Sequence, residues 1–316
     1  MRRIIPILGA VVGVVLLVVG AAKARTWWRA TGVAPGALDI PAVAEVREVA
    51  SALGVPDSMF GRSGALRVRT VTPAEALRIP GFLDVLGERA LHVAAAHAVP
   101  LPGGDTFHYL VLRPFADKKG DVLNGYRLGR WPAERWIMSR NYFNPDGFVE
   151  VTAANATLPL TPHITLGDFV THDQRDRWPK YVVLEEKLLD KVELILRELN
   201  AKGIATRKVV VLSGFRAPYY NDRGVGEGMA RSSRHQYGDA IDLIVDDDGN
   251  GRMDDLNKDG RLDMRDTEVI SLALARVERA WPELRGGLGT YAAMGPRGPF
   301  VHIDVRGTSA RWEGRK

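Results

Sequence analysis

An uninterrupted apolar run comes first. Residues 4–22 carry no charge and follow Met1-Arg2-Arg3. As a helix rising 1.5 Å per residue this run spans about 28 Å, roughly a bilayer core. Lys23, Arg25, Trp27, Trp28 and Arg29 follow it, the residue types of an interfacial belt. Two readings compete. The run is longer than the apolar core of an ordinary signal peptide, which favours an uncleaved signal anchor over residues 1–30. Ala22-Lys23-Ala24 also fits the small-x-small rule of a cleaved secretory signal. Both place the rest of the chain in the periplasm or outside the cell.

Residues 31–41 hold Gly32, Pro35, Gly36 and Pro41 and read as a linker. Helical periodicity returns over 42–53 and 80–97. Thr72-Pro73-Ala74-Glu75 reads as a capped helix start, with Pro73 first in the helix and Glu75 completing the box. Residues 106–115 and 147–152 read as strands, and 100–104 and 117–120 as turns. Together these make 42–159 a small α+β region with no assigned role. The domain from 160 to 316 opens towards an amphipathic helix over 182–200, in which Leu184, Leu188, Val192, Ile195 and Leu199 recur at intervals of three and four. Gly203 supplies its C-cap. A strand over 207–212 follows, then the apolar strand 240–245. A second helix, 268–281, sets Ile270, Leu274 and Val277 on one face. Residues 286–294 lead to a last strand, 300–305. This order predicts an α+β fold with a mainly antiparallel sheet.

Composition narrows the function classes. The chain has 316 residues, a net charge of +5 and no cysteine. Disulfides, a lipid-modified N-terminal Cys and thiolate metal sites are excluded. No aromatic–basic motif accompanies the mild basic balance, so nucleic acid is not an expected partner.

Candidate chemistry concentrates in 213–305. His235 precedes the strand that carries Asp242, and His302 and Asp304 lie on the last strand. Phe300, His302 and Asp304 share one face by the period of two. Two imidazoles and a carboxylate on neighbouring strands are ligands that Zn²⁺ accepts, with a fourth position left open in catalytic sites. His92, His97 and His108 have no such partners and read as ordinary histidines.

The stretches Ser213-Gly214-Phe215-Arg216-Ala217-Pro218, Ser233-Arg234-His235 through Asp242, and Phe300-Val301-His302-Ile303-Asp304 occur in that order. They resemble the zinc D-alanyl-D-alanine carboxypeptidase superfamily, whose fold is shared with the hedgehog signalling domain. The ending is most similar to the bacterial cell-wall branch, as is the lead-in Thr165-Leu166-Gly167-Asp168-Phe169. The similarity covers roughly 160–312. It implies His235, Asp242 and His302 as zinc ligands, Arg216 as the group that grips a substrate carboxylate or carbonyl, and Ser233 as a hydrogen-bonding support. It implies hydrolysis of peptidoglycan stem peptides or cross-links, as a carboxypeptidase or an endopeptidase. One feature departs from the pattern. Many relatives carry Glu three residues before the last ligand, or His two before it; here Pro299 and Phe300 stand there. The general base is left among Asp304, Glu227 and Asp239, and Asp304 also suits a role in orienting a ligand.

Residues 246–266 add a second signal. Asp246, Asp248, Asn250, Gly251 and Asp254 fall at positions 1, 3, 5, 6 and 9 of a calcium-loop template. Nine residues on, Asp255, Asn257, Asp259, Gly260 and Asp263 repeat it, with Asp266 at position 12. The repeat resembles the tandem Ca²⁺ loops of dockerins and thrombospondin repeats. The first loop ends in Asn257 rather than an acid. This insert holds eight Asp against four Lys/Arg, leaving +9 on the rest of the chain, a charge suited to an anionic wall or membrane surface. The competing class, on the same resemblance, is a zinc- and calcium-stabilised wall-binding module without turnover.

Overall fold

The computed structural model describes residues 60–101, 105–135, 142–292 and 295–314. The expected membrane segment, the linker and the helix over 42–53 lie outside these residues. Among the described residues, no helix is long and apolar enough to cross a membrane.

The fold is mixed α+β, with mostly antiparallel sheets. It begins with β1 (Val68–Val71) and the short α1 (Pro73–Ala76). Thr72 caps α1 through the reciprocal box with Glu75 that the sequence predicts. The helical pattern over 80–97 does not become one helix. It yields α2 (Phe82–Leu86), a 3₁₀ turn and then β2 (Ala96–Pro100). Gly87, at φ 76°, ends α2, because an α-helix cannot continue through a left-handed residue. β3 (Thr106–Val111) lies between β1 and β2. β4 (Arg113–Pro114), β7 (Gly147–Val151) and β8 (Lys180–Val182) form a second small sheet, and β5 (Val122–Leu123) and β6 (Tyr126–Arg127) a hairpin.

The amphipathic pattern from residue 182 splits at its start: β8 takes Val182, and α3 runs over Glu186–Asn200. Glu185 caps α3 by accepting from Lys187 N. β9 (Val209–Ser213), α4 (Pro218–Arg223), β10 (Ala240–Val245), α5 (Met264–Ala280), β11 (Gly287–Tyr291), β12 (Phe300–Asp304) and β13 (Ala310–Gly314) complete the chain. The principal sheet has the order β13-β11-β12-β10-β9. All its pairs are antiparallel except β11 with β13. α3 and α5 pack on each other and against β12.

Period two divides the central strands. Ile241 and Leu243 of β10, Val301 and Ile303 of β12 and Leu288 of β11 join one core with Leu188, Val192, Ile195, Ile270, Leu274 and Val277. Asp242, His302 and Asp304 belong to the opposite face. That core also contains Val68, Leu110, Trp131, Phe148 and Val151. No break in it falls at the expected boundary between 159 and 160. A smaller cluster, with Phe82, Phe107 and Tyr109, lies beneath α2.

Candidate metal centre

The site forms where β10 and β12 pair. Asp242 lies directly opposite His302, and Ser213 of β9 lies opposite Asp242 on the other side. His235 comes from a 3₁₀ turn, Arg234–Tyr237, just before β10. Ser233 caps that turn: its Oγ accepts from His235 N at 3.3 Å. The resemblance implied a hydrogen-bonding support at this serine. Arg216 N donates to His235 O at 3.1 Å, which ties the Ser213–Arg216 strand end to the turn.

Hydrogen bonds decide which ring nitrogens are bare. His235 Nδ1 lies 2.6 Å from Gly214 O, a carbonyl that only accepts, so the proton sits on Nδ1 and Nε2 carries the lone pair. His302 Nε2 lies 3.1 Å from Asp304 Oδ2. A proton on Nε2, facing Asp304, leaves Nδ1 free to ligate a cation in place of its hydrogen bond to Asp242. The two bare nitrogens face each other at 3.1 Å, and each faces Asp242 Oδ1, at 3.2 and 2.8 Å. Three such atoms converging in a buried place repel one another unless a proton or a metal cation lies among them. Their separations approach the edge of a tetrahedron with bonds of about 2.0–2.1 Å, the Zn–N and Zn–O lengths. The donor set therefore fits zinc. His235, Asp242 and His302 are all buried and offer one ligand atom each within a common 4.8 Å.

Electrostatics follow the same geometry. Burial lowers the His235 imidazole to about 4, only partly opposed by Asp242. Burial pushes the Asp242 carboxyl up, but His235 and His302 outweigh it and hold it well below the usual range. Burial likewise opposes protonation of His302, and hydrogen bonds to Asp242 and Asp304 reverse that.

Arg216 reaches the same place. Its Nε donates to Ser213 Oγ at 2.8 Å and its Nη2 to Asp242 Oδ2. Asp304, fully buried, accepts from His302, from Gly287 N at 2.6 Å and from Arg306. Its carboxylate is thus spent on orienting a ligand ring. Asp239 is held by Arg234 through both oxygens, and Glu227 is exposed on a loop.

Thr171, His172, Tyr291 and Trp312 also lie at the site and were not singled out from the sequence. Thr171 Oγ1 bridges Phe215 O and Ala217 N, on either side of Arg216, and so brings the exposed His172 beside that arginine. Partial desolvation, then the charges of Arg216, Arg175 and Arg297, hold His172 below its ordinary value although its side chain reaches solvent. Tyr291 and Trp312 lie beyond His302 on the same sheet. The alternating glycines Gly287 and Gly289 ahead of Tyr291 were the available clue, since glycine within a strand marks a close approach.

In the acidic insert, Asp246, Asp248 and Asp254 gather one oxygen each within 4.8 Å. Asp246 is fully buried and accepts from Gly251 N, and Asn250 pairs with Asp248. Among the described residues the second set gathers no three acidic groups within that distance, although it repeats the turn bonds of the first. Asp255 accepts from Gly260 N, Asn257 from Asp259 N, and Asp259 ion-pairs with Arg265. Asp263 caps α5 with Asp266 as its box partner, and Asp266 also accepts from Leu256 N.

No protein-family model matches the chain, and no curated protein matches it. Among solved structures, the L-Ala D-Glu endopeptidase ChiX of Serratia marcescens is similar over 39% of this chain and 82% of that one, at 18% identity and a TM-score of 0.26. A likeness at that score is too loose to assign fold or chemistry.

Proposed function

We propose that the protein is a zinc-dependent peptidase of the cell wall, hydrolysing peptidoglycan stem peptides or cross-links as a carboxypeptidase or an endopeptidase. The observation that carries this is the convergence of two bare imidazole nitrogens and a carboxylate beside an arginine. The motifs shared with the zinc D-alanyl-D-alanine carboxypeptidase superfamily agree with it. A zinc ion held there supplies Lewis acidity towards a carbonyl and makes water nucleophilic at neutral pH. Arg216 presents a planar donor array to a substrate carboxylate or carbonyl. His172 follows Thr171, which braces the backbone on either side of Arg216, and with its imidazole held below the ordinary value it is the candidate proton acceptor.

The reading extends to the rest of the chain. The apolar segment 4–22 would hold the protein at the membrane, or direct its secretion, with the site on the outer side. Asp246, Asp248, Asn250 and Asp254 would take Ca²⁺ and order the loop between β10 and α5. Chelation should then expose residues 246–266 to protease. An unchanged digestion pattern would remove calcium from the proposal.

A binding module without turnover is the second reading. It is favoured by one observation: none of the three carboxylates considered as general base stands free at the site. The deciding experiment incubates the protein, zinc-loaded, with purified peptidoglycan fragments and reads products by mass spectrometry, beside His235→Ala. Loss of terminal D-alanine indicates a carboxypeptidase, and halved cross-linked dimers an endopeptidase. A folded, zinc-loaded protein that releases nothing is a module.

A further inference from the structure

Two aromatic side chains on the site face have no part in the chemistry above. One row of cross-strand partners runs Ser213, Asp242, His302, Gly289, Trp312 and spans all five strands. Gly289 leaves room in that row. A Cβ there would come within 2.4 Å of the Trp312 indole, so the ring lies where a side chain would be. The indole thereby reaches His302, with ring centroids 5.2 Å apart.

The adjacent row, Phe300, Tyr291, Gly314, repeats the device. The Tyr291 ring covers Gly314, whose Cβ would fall 2.1 Å from ring carbons. It stacks on Phe300 with centroids 4.5 Å apart and planes 5° from parallel. The two rows are tied where Trp312 Nε1 donates to Tyr291 Oη at 2.9 Å. An indole N–H only donates, so the phenol accepts here and keeps its own proton to give. That proton has no partner among the described residues. The hydroxyl lies within electrostatic reach of Asp242 and Arg216, and burial keeps it protonated at neutral pH.

We propose that Tyr291 is a catalytic residue that donates a hydrogen bond to the oxygen of the reacting carbonyl as it gains charge, with Trp312 as the positioning residue that fixes the hydroxyl. This rests on the peptidase reading. No bond to Tyr291 forms or breaks, and the phenol keeps its proton throughout. A donor clamped by stacking and by an indole needs no reorganisation when charge develops, which is where such donors act most strongly.

The test combines steady-state kinetics on peptidoglycan fragments with calorimetric affinity for a phosphinate peptide, whose tetrahedral oxygens resemble the charged state. For Tyr291→Phe, kcat should fall about 100-fold, as for other lost oxyanion donors. KM should stay within about twofold, the signature of an interaction made only in the transition state. Phosphinate affinity should fall with kcat while zinc content is unchanged. Trp312→Phe should lose less, about tenfold, and the double variant should be no worse than Tyr291→Phe alone, because both changes remove one coupled interaction. An unchanged kcat in Tyr291→Phe overturns the proposal. So does a rise in KM alone, which would make Tyr291 a ground-state contact. If Tyr291→Phe loses zinc or melts early, Trp312→Phe decides, and full activity there at intact zinc content overturns it. Wild-type protein that holds zinc and releases nothing removes the peptidase reading and this role together, a result distinct from an active enzyme indifferent to Tyr291.

Discussion

For a single histidine, function turns on which nitrogen keeps its proton. Asp304 fixes that for His302, just as Gly214 O fixes it for His235. Replacing Asp304 by Asn keeps the size but lets the amide present either an acceptor or a donor to His302. Zinc affinity should fall about 10–100-fold, the usual cost of losing a partner behind a metal-ligating histidine; competition with a chromogenic chelator measures it. His172 supplies a second residue-scale prediction. Its value is lowered, so the neutral form persists below the ordinary histidine range near 6.5. The acid limb of kcat should therefore fall below pH 6.5 rather than above it, and His172→Ala should lose both that limb and most of the rate. A limb unchanged in His172→Ala would return the base to another group.

Among elements, the turn around His163 is pinned to α3. His163 Nδ1 lies 2.9 Å from a Glu193 oxygen in the middle of that helix. The hydrogen bond to Glu193 raises the imidazole above its usual value, against the opposing effect of burial. The folded state thus holds this proton more tightly than the unfolded chain does. Its stabilisation is complete below about pH 6.5, the unfolded value, and is lost as pH rises through the higher folded one. The gap in melting temperature between wild type and His163→Asn should be wide at pH 5.5 and narrow at pH 9. A gap independent of pH would mean the contact is packing alone.

Across the whole molecule, one buried ion pair joins the helices to the strand that carries the site. Lys191 of α3 is fully buried, and its Nζ donates to Glu278 of α5 and to the backbone oxygen of Asp304, both at 2.8 Å. Glu278 in turn accepts from Gly286 N and Arg311, at the edges of β11 and β13. Removing one member leaves the other charge buried with fewer partners. Lys191→Met should cost about 3–5 kcal/mol, read from urea unfolding, and β12 should loosen with it. Glu278→Gln in the same background should restore part of that loss. If Lys191→Met were as stable as wild type, the pair would not be what couples α3 to the site strand.

The sequence by itself determined the ligand set's spacing, the α+β order and the Thr72 box. Strand period two, helical period and capping chemistry act over a few residues, and their signals are written locally. It also determined β10 to the residue, because five apolar positions around Asp242 admit a strand buried on both faces. Local pattern misread 80–97, where one glycine outweighs the apolar spacing, and left β13 unrecognised. Only the tertiary structure decided the rest. Cross-strand register put Ser213, Asp242, His302, Gly289 and Trp312 in one row, although they are scattered over a hundred residues of chain. Tautomer followed from a carbonyl 21 positions away and a carboxylate two positions away. It also decided that Asp304 is committed to His302 and Arg306, and that Tyr291 keeps a proton to give. Register, burial and hydrogen-bond occupancy are properties of pairs of segments, so no single segment encodes them.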